Sequence, residues 1–146
     1  MKIQTSRFGE VEVNETACFE MTSPILGYEN EKQFVIIEHK EDSSFKWLQS
    51  TTDPKLAFVI TMAGFFGIDY TFELPEKTQE ELDINDADDI LVFNIVVIPH
   101  ENPRASTINL LAPIIFNIKN QKAAQTVLTG SNFKVEYPLF EKEALC

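Results

Sequence analysis

Cysteine is nearly absent from this chain: its 146 residues include only Cys18 and Cys146. So few thiols, so far apart, exclude a disulfide framework and a thiolate metal knot. Both are expected to be reduced, with Cys18, between Ala17 and Phe19, a buried and inert thiol. Histidine is as scarce. His39 and His100 form no HxH or HxxxH pair and read as surface or capping residues rather than zinc ligands or a catalytic base. There are five glycines, and Gly64-Phe65-Phe66-Gly67 is not a phosphate-cradling loop, so nothing supports nucleotide binding. The run from Asp83 to Asp89 is rich in carboxylates but lacks the central glycine and terminal glutamate of a calcium loop. No metal, cofactor or enzymatic activity is expected, since no carboxylate pair is placed in the contrasting surroundings that acid–base catalysis requires. Long apolar runs are missing too, and the first nine residues have no signal-like apolar core, so a soluble, cytoplasmic protein without membrane contact is expected.

Basic residues are the last shortage: 12 stand against 23 acids, for a formal net charge of -11. The imbalance is local. Residues 69–89 hold nine acids and one base, whereas residues 90–146 hold four acids and five bases. An acidic surface repels phosphate backbones, so direct nucleic-acid binding is disfavoured and a basic partner favoured. The carboxylates to which this points are Asp69, Glu73, Glu80, Glu81, Asp83, Asp86, Asp88 and Asp89.

What the chain does have is apolar material, 44% of residues with 12 phenylalanines, enough for one self-sufficient core. A single domain over residues 1–140 and a short tail over 141–146 are expected. Short β-rich runs follow one another at 2–8, 10–13, 34–39, 45–50, 56–62, 70–74, 90–98, 107–118 and 123–129, with turn residues between them. Nine short strands and one helical candidate, from Glu76 to about Leu82 behind Pro75, predict an all-β fold with one short helix. The architecture expected is an antiparallel sandwich or a closed or nearly closed barrel. Ile90 to Ile98 is almost continuously apolar and reads as the centre of the core. Ile108, Leu110, Ala112, Ile114, Phe116 and Ile118 fall on one face of a strand. Pro113 within that strand predicts a bulge or an unpaired edge. The Lys119–Lys122 turn, with Asn120 in the left-handed region, would close a hairpin with residues 123–129.

Two apolar loops are candidate partner sites. Phe65 and Phe66 lie between glycines after a strand, either as exposed anchors or folded back into the core. Ile25, Leu26 and Tyr28 lie in Ser23-Pro24-Ile25-Leu26-Gly27-Tyr28, a binding loop or a structural turn with Gly27 at positive φ. Trp47, the only tryptophan, is expected to pack in the core or on a sheet face.

Ser106-Thr107, Asn109-Leu110, Ala112-Pro113-Ile114 and Asn117, followed by Ala124-Gln125 and Val127-Leu128, resemble the C-terminal signature of the bacterial flagellar assembly factor FliW family. Phe45 to Ser50, Pro54 with Ala57-Phe58, and Asp69-Tyr70 with Phe72 and Leu74 agree in the same order, so the likeness spans about residues 3 to 138. It implies a non-enzymatic regulator with two partners: flagellin, and CsrA, an RNA-binding translational repressor that it keeps from silencing flagellin messenger RNA. Unsecreted flagellin would occupy the protein and free CsrA. Many relatives carry Gly-Ile-Pro-Gly-Phe where this chain has Ser23 to Tyr28, so contacts there do not transfer, and the tail lies outside the match. The alternatives are a dedicated flagellin chaperone without CsrA antagonism, or a small-ligand-binding barrel.

Overall fold

The computed structural model describes residues 1–38 and 43–140, and for Asp88 the backbone alone. His39, Glu41, Asp42 and the tail with Cys146 lie outside the described residues. Eleven strands occur among the described residues: β1 Lys2–Thr5, β2 Gly9–Glu12, β3 Cys18–Ser23, β4 Gln33–Ile37, β5 Phe45–Ser50, β6 Ala57–Thr61, β7 Ile90–Val97, β8 Thr107–Ile108, β9 Ile114–Asn117, β10 Lys122–Gln125 and β11 Tyr137–Pro138. One α-helix, α1, covers Glu76–Glu81 with Pro75 at its N-cap.

Seven strands close into a barrel in the order β7-β6-β5-β4-β3-β10-β9, with β9 returning to pair with β7. All these pairs are antiparallel except β3–β10, where Lys122 lies beside Glu20 and Ala123 beside Met21 in parallel. This corrects the expectation of a purely antiparallel sheet. Strand directions cannot alternate all the way round a ring with an odd number of members, so a seven-stranded barrel must contain a parallel pair. Side-chain alternation then fills the interior: Phe19 and Met21 from β3, Phe34 from β4, Leu48 from β5, Ile60 from β6, Phe93 from β7, and Ile114 and Phe116 from β9 form one buried cluster. Phe116 is its hub, edge-on to Phe19 at 4.9 Å and to Phe93 at 5.6 Å.

The outer wall is covered in three places. The β1–β2 hairpin lays Ile3, Val11 and Phe8 over Val35, Ile37 and Trp47. The C-terminal strands bring Leu139 and Phe140 to a cluster around Val96, Ile108 and Phe66. Residues 72–84 pack Phe72, Leu74, Leu82 and Ile84 on Ile115, Ala124, Ile90 and Val92.

Several expectations need correction. Residues 70–74 are not a strand: the barrel has closed beside them, leaving no ladder to join, and they cross its outer face as irregular chain. β3 was not anticipated, because only Phe19 and Met21 mark its apolar face. The run 107–118 is two strands. Both β8 and β9 pair along one edge of β7, Ile108 with Val96 and Ile114 with Phe93, so residues 109–113 stand opposite only Asn94 and Ile95. This wide bulge contains Pro113, as expected. Ile118, past the end of β9, is 46% exposed rather than buried. The β9–β10 hairpin forms, but Gln121 (φ 60°), not Asn120, takes the left-handed conformation. Asn120 instead spends its side chain on Leu82 and Lys122.

Candidate partner-binding surfaces

The acidic segment is clamped to the barrel by polar side chains, Asn117 and Asn120 of the β9–β10 hairpin together with Ser23, Asn94 and Thr126. Asn117, buried in β9, donates from Nδ2 to the Leu82 carbonyl at 2.8 Å and accepts from the Lys119 amide at 2.9 Å. Asn120 donates to the same Leu82 carbonyl, also at 2.8 Å. The C-terminal end of α1, which leaves carbonyls without intrahelical donors, is thereby capped from the hairpin. Asp83 follows with φ 52°, the left-handed turn that ends the helix. Thr78 on the buried side of α1 donates to Thr126, and Ser23 donates to Glu81 at 2.8 Å.

The upstream end is held at the bulge. Tyr70 donates to the Leu110 carbonyl and accepts from Asn94, whose Nδ2 also donates to the Asn109 carbonyl at 2.9 Å. Asn109 accepts the Ala112 amide, which the bulge would otherwise leave without a ladder partner. Burial raises the Tyr70 hydroxyl to a pKa of about 12, with the Asn94 hydrogen bond opposing the shift. The residues that carry the family resemblance, Asn109, Leu110, Asn117 and Tyr70, therefore seat the acidic segment on the barrel.

Seated this way, Asp69, Glu73, Glu80, Asp83 and Asp86 are exposed. Glu81 and Asp89 are half-buried, and Glu81 is engaged with Ser23 and, at 4.0 Å, Lys77. The Asp88 side chain lies outside the described residues. Glu73, Glu76 and Gln79 line a shallow hollow of about 510 Å³. Lys77, the segment's one base, leaves its charge essentially uncompensated.

The apolar loops divide. Leu26 is 63% exposed and Phe65 59%, as anchors would be. Ile25 is 2% exposed and belongs to the barrel interior, which corrects its assignment as a contact residue. Two residues beyond the end of β3, it joins the interior cluster to which Met21 also belongs. Phe66 is half-buried between Phe45 at 5.5 Å and Phe140 at 6.0 Å, so of the two neighbouring phenylalanines one is a plug and one is free. Tyr28 is 42% exposed but rests edge-on against Phe58. Gly27 has φ 91°, the left-handed turn its position requires.

Sequence reasoning missed a groove of about 690 Å³ on the outer wall, lined by Trp47, Val59, Val97, Ile98 and Arg7 among others. The exposure of Val97 (61%) and Ile98 (42%) was hidden within an apolar run that reads as wholly buried. Trp47 lies on the sheet face, as expected, with the Arg7 guanidinium 4.3 Å above its ring and Phe8 edge-on.

Among the described residues no group of three or more His, Cys, Asp or Glu is arranged to hold a metal, and no helix is long and apolar enough to cross a membrane. His100 is exposed on a loop. Cys18 is half-buried rather than buried, and burial, helped by Glu15, raises its pKa away from the reactive thiolate.

The FliW protein family model matches residues 2–139. The chain belongs to the FliW family. Among FliW relatives, the flagellar assembly factor FliW of Caldanaerobacter subterraneus subsp. tengcongensis is 38% identical, over 97% of this chain and 95% of that protein. That of Bacillus subtilis is 41% identical over 95% and 96%. A crystal structure of the flagellar assembly factor FliW superposes with a TM-score of 0.88 at 30% identity, covering 98% of this chain and 99% of that one. The closed barrel with its added strands is thus the FliW architecture.

Proposed function

We propose that this FliW-family protein is a non-enzymatic regulator of flagellum assembly that exchanges two partners in the cytoplasm. It binds the translational repressor CsrA through the acidic segment, relieving repression of flagellin messenger RNA, and it binds monomeric flagellin through apolar surface. The observation that carries this reading is the clamped acidic segment: a one-signed surface held in fixed geometry and facing outward. A protein that silences RNA presents a basic surface to it. An opposed acidic surface accelerates encounter and, once docked, repels incoming phosphate. Monomeric flagellin has amphipathic helices without the neighbours they gain in the filament, and exposed Leu26, Tyr28 and Phe65 offer apolar contacts of the kind such helices need.

The test is a charge reversal confined to exposed carboxylates. Glu73, Glu76 and Glu80 replaced by lysine shift the formal charge by +6 without touching the Leu82 cap or the Ser23–Glu81 hydrogen bond. CsrA association at low salt is expected to slow by about tenfold or more and to lose most of its salt dependence, as electrostatic steering predicts. Unchanged rate and salt response would remove the acidic segment from the CsrA interface.

A further inference from the structure

One apolar loop leads to a groove on the outer wall: Phe66 meets Phe45 at 5.5 Å, and Phe45 lines the groove of about 690 Å³. Tyr28 of the other loop instead meets Phe58, which packs on the barrel interior. The floor of the groove is a row of side chains in register across three strands, Trp47 beside Val59 and Val59 beside Val96. The groove exists because the β6–β7 ladder stops at that row. β6 continues to pair with β5 as far as Ala57, while β7 turns away to pair Val97 with Thr107 of β8. The strands diverge, and the wedge between them is walled by apolar side chains, with Val97 and Ile98 at its lip.

The rim carries basic side chains, although the chain as a whole has a formal net charge of -11. Arg7 lies over Trp47 at the groove and also lines an adjoining cleft with Lys55. Among the described residues neither forms an ion pair. Two cations without a carboxylate partner among the described residues, beside an apolar floor in a chain with 23 acids and 12 bases, favour an occupant that brings a carboxylate with its apolar face. Leu82 and Ile84 of the acidic segment pack with Ile90 at the other end of β7, about 23 Å away at ~3.3 Å per residue, so the carboxylates around them do not repel that carboxylate at contact range. The upstream end of the segment, at Tyr70, lies nearer, against Asn94.

We infer that this groove is the docking site for flagellin, taking the apolar face of an amphipathic helix with an aspartate or glutamate at its margin received by Arg7. The inference rests on the reading that the protein sequesters flagellin, and it moves the contact from the loop tips to the groove. Trp47, as the only tryptophan, reports occupancy directly. Purified monomeric flagellin is titrated into the wild-type protein while Trp47 emission and its quenching by acrylamide are followed. Binding is expected to shift the emission and to reduce quenching at least twofold. Val97→Asp and Arg7→Glu, both at exposed positions, are expected to weaken binding tenfold or more and about threefold or more respectively, while Glu20→Lys, at an exposed position of β3, leaves it within twofold. Should Val97→Asp fail to fold, Ile98→Asp and the wild-type quenching measurement decide the matter alone. Tight binding with unprotected Trp47, or with all groove variants within twofold of wild type, overturns the groove while leaving flagellin sequestration standing. No binding by the wild-type protein, measured calorimetrically, overturns the flagellin reading and the groove with it.

Discussion

Replacing Asn117 and Asn120 by alanine, singly and together, examines the clamp on which the acidic surface depends. Asn117→Ala removes the bond to Leu82 and the bond from the Lys119 amide. At about 1 kcal/mol each, the cost is about 2 kcal/mol, because Asn120 still serves the Leu82 carbonyl. Asn120→Ala gives up the Leu82 bond and the 3.2 Å bond from the Lys122 amide at an exposed position, for about 1 kcal/mol. The double variant differs in kind. Leu82 is fully buried, and its carbonyl then loses both side-chain donors, adding the ~1–3 kcal/mol cost of an unsatisfied buried acceptor. The double variant should therefore cost about 4–6 kcal/mol, with a coupling well outside the ~0.5 kcal/mol scatter of independent sites. Urea unfolding followed by Trp47 emission measures each corner of the cycle. The same double variant should weaken CsrA binding although no carboxylate has changed. Additive costs would show that the two asparagines do not share one acceptor, and the clamp would then be wrong.

Other outcomes follow from the same geometry. Tyr70 has a folded-state pKa of about 12, above its ordinary 10.0, so its contribution is complete below pH 10 and is lost as pH rises toward 12. Denaturant midpoints measured across that window should fall more steeply for the wild-type protein than for Tyr70→Phe. Ile25→Asp should destabilise by several kcal/mol in chemical denaturation, since it buries a carboxylate, whereas Leu26→Asp next to it should stay within about 0.5 kcal/mol. Phe116→Ala, at the hub of the barrel interior, should cost about 3–5 kcal/mol by the same assay.

The barrel was legible where periodicity was strong. β5 and most of β7 follow directly from alternation and apolar run length, and Pro75 with the acids behind it marks α1. What period and propensity do not encode is closure: whether a ring has six, seven or eight members, and hence whether one pair must be parallel, depends on contacts between residues as distant as Met21 and Ala123. The same limit hid the reason for residues 70–74, whose apolar side chains look like a strand but cover one. The acidic surface was legible as a count of charges along the chain, and the exposure of Asp69, Glu73, Glu80, Asp83 and Asp86 accords with it. The groove was not, because Val97 and Ile98 continue a buried run and only the divergence of β6 from β7 exposes them.

The most direct measurement is an isothermal titration of CsrA into this protein, repeated with the protein saturated by monomeric flagellin. Binding in the first titration, and its loss or marked weakening in the second, is the result predicted for a partner-exchanging regulator. Absence of heat in the first titration, or identical isotherms in both, would contradict it.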